Sequence, residues 1–192
     1  MKAIYTNADI VASDALIDAL RNLADFLLMI IETHQFVISY LPDKDFTHGV
    51  HQHAFSEKWS KYEEYDIPPE GKGLWTLLVN DEEDLYLPDK EAVYSHPAFS
   101  NFSNKRTRSG LEHPPMPGLI GTAVRRNGTF LGLMMASDPV RGNFIESDIR
   151  RLRRAVPLVA SVLSLQYIIE AKRKQASMTF EEAIQELENA RE

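Results

Sequence analysis

The dipeptide Asn127-Gly128 lies between two runs of apolar residues, "LIGTAVRR" (119–126) and "TFLGLMMAS" (129–137). Both turn residues tolerate positive φ, so a two-residue turn joining antiparallel strands is the strongest local constraint in the chain. In the second run Phe130, Gly132, Met134 and Ala136 are expected to point one way, and Leu131, Leu133 and Met135 the other. A strand apolar on both sides must be covered on both, which predicts a central strand with a layer over each face.

Two helical patterns supply candidates for one layer. Ser13 and Asp14 are good helix starters. After them Leu16, Leu20, Leu23, Leu27 and Ile30 form one stripe, with Ile17, Ala24, Leu28 and Ile31 beside it. Near the other end, Glu146, Ser147 and Asp148 open a second helix, where negative charge suits the helix dipole. Its first seam is Ile149, Leu152, Val156, Val159 and Leu163, and its second is Leu158, Val162, Leu165 and Ile169. A helix apolar on two faces needs two neighbours, so each is expected to meet the sheet and a partner chain. Pro157 lacks a backbone donor and predicts a kink or a split. A fresh helix start is expected at Ser177 or Thr179, and the narrow stripe Phe180, Ile184 and Leu187 fits a coiled coil.

The candidate for the other layer lies between these ends. "FVISYL" (36–41) and residues 50–55 read as strands, residues 73–80 as a short helix and Leu85–Leu87 as a strand stopped by Pro88. Residues 95–118 carry Pro97, Pro114, Pro115 and Pro117, a long loop-rich insert of the sort that tends to be functional. The pattern is α+β with an antiparallel sheet.

The length of 192 residues suits one domain with an appendage, and the absence of cysteine removes disulfides, thiolate nucleophiles and thiolate zinc sites. A net charge of −7 argues against nucleic acid or an anionic membrane as partner. The longest apolar run, "FLLMII" (26–31), falls short of the roughly 20 residues of a membrane span. The amino terminus does not read as a signal peptide, and the expected location is cytoplasmic.

The order of motifs resembles the GAF-domain family of small-ligand sensing modules over about Leu16 to Glu170. The matching phrases are "IPPEGKGLWTLL", a strand ending at Pro88-Asp89, "HPAF" (96–99), "LIGTAV", the Asn-Gly hairpin, "FLGLMMAS", and Phe144 with Asp148 opening the last helix. The resemblance implies a GAF-like antiparallel sheet with the N- and C-terminal helices on one face and a loop-rich ligand-pocket lid on the other. It divides the chain into a lead-in at 1–12, a sensor domain at 13–172 and a helical linker at 173–192. The departures narrow the ligand. Ser137-Asp138 stand where cyclic-nucleotide-binding members carry Asn-Lys, and Ile149 stands where they carry Glu, which argues against a cyclic nucleotide. A bilin joined through Cys is impossible, and members that reduce free methionine sulfoxide rely on cysteines.

Candidate ligand-binding residues are Asp89, Tyr94, His96, Phe99, Phe102, Arg106 and Arg108 in the lid, with Trp75, Met116, Thr122 and Met134 as a floor. Aromatic walls with a few polar groups suit a small molecule, and an arginine suits a carboxylate or phosphate. Met134 has a competing reading as core. His51 and His53 share a strand face while His48 points oppositely; two imidazoles at this spacing suit a metal, a haem or a pH response, but no third ligand is apparent and a solvated strand edge is the competing reading. No catalytic arrangement is legible: no Ser-His-Asp order, no His-Glu-x-x-His pair, no phosphate loop. The expected function is a non-catalytic regulatory domain, a homodimer through its terminal helices, signalling to an output domain such as a cyclase or kinase. The alternative is a ligand-free dimerisation scaffold. The chain stops inside a helical pattern, so a longer protein is expected.

Overall fold

The computed structural model describes residues 14–41, 44, 49–62, 77–79, 84–97 and 116–189. The main elements are helix α1 (Asp14–Ile31), strands β1 (Thr33–Tyr40), β2 (Val50–Phe55) and β3 (Leu85–Leu87), and helix α2 (Lys90–Ser95). Strands β4 (Leu119–Arg126) and β5 (Thr129–Pro139) and helix α3 (Glu146–Asn189) follow. A 3-10 helix spans Glu57–Tyr62, and a helical turn lies at 77–79. The strands form one antiparallel sheet in the order β2-β1-β5-β4-β3.

The hairpin forms as the turn residues dictate, with Asn127 at φ 50° and Gly128 at φ 80°. It places β5 at the centre of the sheet, between β1 and β4. One correction applies to its facing. The register slips between Val124 and Arg125, which pair with Gly132 and Phe130 and leave Leu131 as the extra residue. A bulge of this kind reverses alternation for the residues before it. Leu131 therefore joins Met134 and Ala136 on one face, and Phe130 joins Leu133 and Met135 on the other.

Two apolar clusters result, one on each face. The first unites α1 and α3 with Phe36, Ile38, Tyr40, Val50, Ala54, Ile120, Val124, Leu131, Met134 and Ala136 of the sheet. The second packs Leu78, Val79, Val93 and Met116 against Val37, Leu41, Leu85, Leu87, Leu119, Phe130, Leu133 and Met135. Helix α1 lies over β1 and β2, and α3 lies over β4 and β5.

The helices differ from expectation in three respects. On α1 the buried line is Leu16, Leu20, Ala24, Leu27 and Ile31, while Ile30 is exposed and Leu23 half-buried. A stripe stepping by 4 and 3 averages 3.5 residues per turn and drifts around a 3.6-residue helix, which carries Ile30 off the sheet. On α3 the first seam is held as expected, but the helix does not split at Pro157. It also runs unbroken through Ser177 and Thr179 to Asn189, so the expected new start is absent. Glu146–Arg173 has the length and apolar content of a membrane span. Its Ile149, Leu152, Val159 and Leu163 are nonetheless buried in the core beside the sheet.

The start of α3 is pinned by Asp148, which is buried. Its carboxylate accepts from the Ile145 amide at 2.9 Å and from Arg141 at 3.2 Å and Arg151 at 3.4 Å. Arg141 also reaches Glu32 at the end of α1, 2.6 Å away, so one arginine ties both helix ends together.

Candidate ligand-binding face

The lid-facing side of the sheet has two chemically different halves. Over β3, β4 and β5 it is apolar and already filled by the chain's own side chains. Leu78 is fully buried there, and a Cβ placed on Gly121 would come within 2.6 Å of Leu78 Cδ1. Over β1 and β2 the same face carries buried polar groups: Gln35, Ser39 and His51, with His53 half-buried. Alternation puts them together, because Ser39 pairs with His51 and Val37 with His53. His51 Nδ1 and Ser39 Oγ are hydrogen-bonded at 2.8 Å. Ser137 of β5, opposite Gln35, extends this polar strip.

The strip is closed at one end by Asp138. This residue is buried and adopts φ 58°, a left-handed conformation that Asp tolerates better than most. Its Oδ2 accepts from Lys58 Nζ at 2.7 Å and from Trp59 Nε1, which fastens the 3-10 helix to the end of β5. Asp138→Asn keeps an acceptor for Trp59 and the tolerance of positive φ, so it is expected to cost only about 1 kcal/mol. Asp138→Ala loses both and is expected to cost about 3 kcal/mol. Urea denaturation followed by tryptophan fluorescence checks the ranking, and equal losses would contradict it.

The candidate residues fall into three groups. Asp89 caps α2, its Oδ1 accepting from the Ala92 amide at 2.9 Å. His96 ends that helix by donating its amide to the Val93 carbonyl, and Tyr94 is exposed, with Lys90 Nζ 5.8 Å from its ring centre. Met116 is buried in the lid-side cluster, which also holds Val93. Thr122 and Met134 pair with each other on the helix-bearing face, Met134 fully buried in the helix-side core. They are no part of a lid-side floor, because alternation from Ile120 and Val124 turns Thr122 toward the helices. Trp75, Phe99, Phe102, Arg106 and Arg108 lie outside the described residues, as does His48.

Tyr86, on β3 three residues before Asp89, donates its hydroxyl to the Phe144 carbonyl at 3.2 Å. Burial, then the charges of Glu146, Asp148 and Asp89, push its phenol above the ordinary value of 10.0. Among the described residues no group of three or more His, Cys, Asp or Glu is placed to hold a metal ion.

One polar contact crosses from this strand to the long helix. Tyr40, next to Ser39 but facing the other way, donates its hydroxyl to Glu170 Oε2 at 2.7 Å, and Gln166 Nε2 holds Oε1 at 2.6 Å. Adjacent residues of β1 thus touch the lid side and the distal part of α3. Sequence reading had found the shared face of His51 and His53. It missed Ser39, Asp138 and Tyr40, because their partners lie 12 to 130 residues away.

No family model matches the sequence, and no curated protein matches it. Solved structures match clearly. The GAF domain of an Acinetobacter phosphoenolpyruvate-protein phosphotransferase superposes with a TM-score of 0.59 at 12% identity, covering 80% of this chain and 85% of that one. The corresponding domain from Coxiella burnetii gives 0.57 at 21% identity, covering 86% and 89%. This chain has the GAF fold. The type II free methionine-R-sulfoxide reductase from Thermoplasma acidophilum shares that fold, with a TM-score of 0.55 at 16% identity over 78% and 93% of the two chains. In the GAF arrangement seen here, helices α1 and α3 occupy one side of the sheet, and the 77–79 turn, α2 and Met116 the other.

Proposed function

We propose that this chain is a non-catalytic sensory or regulatory module. It binds a small molecule on the lid-facing side of β1 and β2 and passes occupancy through its terminal helices to an effector domain such as a cyclase or kinase. The observation that carries this reading is the buried polar strip Gln35, Ser39, His51 and Ser137 on a face otherwise filled with apolar side chains. A polar strip beside an apolar cluster suits a ligand with a polar end and an apolar body. The phosphotransferase domains offer a precedent for a GAF unit belonging to a larger protein. The reductase shows that the fold also hosts an enzyme, but this chain has no cysteine.

Transmission has a physical route in this proposal. A guest that moves Ser39 and His51 moves β1, and Tyr40 on the opposite face carries the displacement to Glu170. The module acts as a cytoplasmic homodimer, joined through the exposed sides of α1 and α3, and residues 173–192 carry the signal onward.

The filling of the lid-side cluster by Leu78, Val93 and Met116 favours a second reading, a scaffold that dimerises and binds nothing small. A thermal-shift screen of metabolites and nucleotides separates the two. A ligand at 100 times its dissociation constant adds about 2.7 kcal/mol of stability, which the melting curve resolves. A stabilising compound supports the sensor, and silence across the screen from an intact dimer supports the scaffold.

A further inference from the structure

The cations of this chain divide by whether a carboxylate meets them. Arg21, Lys58, Arg141, Arg150, Arg151 and Arg153 each lie within ion-pair distance of an Asp or Glu. Lys44 and Arg125 meet none among the described residues, and both turn instead to one aromatic ring. Lys44 Nζ lies 6.0 Å and Arg125 Cζ 5.2 Å from the centre of the Phe130 ring. Arg125 pairs with Phe130 across the hairpin, so both face the lid, where the bulge at Leu131 turns Phe130 to join Leu133 and Met135. A tight turn brings Lys44 to the same ring. Its amide donates to the Leu41 carbonyl at 3.3 Å, and its backbone takes φ 60°, a left-handed conformation uncommon for lysine. Phe130 is buried and Arg125 half-buried, so the ring restrains the guanidinium against it.

We infer that Lys44 and Arg125 form an anion-binding subsite at the hairpin end of the lid-facing side, which takes a carboxylate or phosphate group. The inference rests on the small-molecule reading above and names the charged end of the guest. Contact with a ring face restrains a cation but uses none of its hydrogen-bond donors, so the N–H groups of both side chains stay open to anionic oxygen. Two like charges held beside one ring repel each other, and a shared anion turns that repulsion into attraction. A guanidinium edge fixed by stacking matches the paired oxygens of a carboxylate or phosphate, while the ammonium adds a point charge. The subsite adjoins the polar strip. Leu41 donates its amide to the Leu131 carbonyl at 3.0 Å, beside Phe130, and Ser39 is the preceding residue of β1 to face the lid. Strands stand about 4.8 Å apart and like-facing residues about 7 Å apart along a strand, so Phe130 and Ser39 are separated by about 8 Å. A guest of metabolite size can therefore hold its anionic group at Lys44 and Arg125 and reach the Ser39–His51 pair with its other end.

Inorganic phosphate and benzoate are titrated separately into the full chain at constant ionic strength, while NMR follows the Arg125 Nε–Hε signal and the Phe130 ring. The same titrations are run on Lys44→Gln and on Arg126→Gln. Lys44 is exposed, so its variant keeps the fold, and Arg125 still reports on the altered site. Arg126 is the control, an exposed cation on the same hairpin whose place in the alternation turns it to the opposite face. Both signals are expected to move saturably. Lys44→Gln should raise the apparent dissociation constant at least about tenfold, as loss of a charge-assisted hydrogen bond requires, and Arg126→Gln should leave it unchanged. Saturation with phosphate alone assigns a phosphoryl group to the guest, and with benzoate alone a carboxylate. A linear drift with both anions, or a constant for Lys44→Gln no higher than for Arg126→Gln, would overturn the subsite. In the thermal-shift screen, a neutral compound that stabilises the unsubstituted chain and Lys44→Gln equally would overturn the anionic guest while keeping the sensor reading. Silence across that screen together with linear drift would remove both.

Discussion

Gly132→Ala is expected to cost at least about 3 kcal/mol, the upper end of ordinary overpacking, and to lower the melting temperature by about 6–12 °C. A Cβ at this position would sit 1.8 Å from the Ser39 carbonyl oxygen and 2.9 Å from its carbon, with Tyr40 Cα at 3.2 Å. All three are backbone atoms, so no side chain can rotate away. The strands that must separate are β1 and the central strand β5, immediately after the bulge at Leu131. The close approach also sets the position of Ser39 and Tyr40, the residues that face the proposed guest and Glu170. Gly128→Ala is the control. Its Cβ meets nothing within 4 Å, but φ 80° is strained for alanine, so the expected cost is about 1–2 kcal/mol. Denaturation midpoints compare the two, and a Gly132→Ala variant as stable as Gly128→Ala would contradict the packing account.

The second large effect concerns assembly. Replacing Val162 and Leu165 together by Glu is expected to abolish the proposed dimer at micromolar concentration while leaving the domain folded. Leu165 is 61% exposed, whereas Val162 is half-buried at the margin of the helix-side core, so Val162 carries the larger part of any cost to the domain itself. In a two-fold pair the substitutions place four carboxylates along one seam and remove the apolar area that would close it. Fully burying a leucine or valine is worth about 1.5–3 kcal/mol, and losing the exposed part of four such side chains exceeds 3 kcal/mol. That corresponds to a dissociation constant raised by more than about a hundredfold. Sedimentation should show the monomer mass with an unchanged far-ultraviolet spectrum. An unchanged dimer would place the interface elsewhere.

Much of the architecture was legible because it is written locally. The Asn127-Gly128 turn, the limits of β2 and β3, and the core seam of α3 follow from turn chemistry and short-range periodicity. The face of Phe130 and Leu131 was not, since a bulge is set by how β4 and β5 pair rather than by either strand alone. The α1 stripe was misphased at Ile30 because two adjacent apolar lines differ by a fraction of a turn, and the sheet beneath decides between them. For the candidate site the limits were sharper. Thr122 and Met134 belong to the expected pocket floor, Met134 with a competing reading as core, whereas strand alternation turns both to the helices. Asp138 resembles an ordinary strand-end acid in sequence. Only folding brings Lys58 and Trp59, about 80 residues earlier, to its carboxylate.

The central claim is that one face of the sheet receives a guest while the other belongs to the helices. Methyl-resolved NMR tests it with neighbours on the same strands, using a stabilising compound from the thermal-shift screen. Val37, Leu133 and Met135 face the lid, and Ile38, Met134 and Leu131 face α1 and α3. The account predicts that titration shifts the first three methyl sets strongly and the second three weakly. Strong shifts confined to Ile38, Met134 and Leu131 would contradict it.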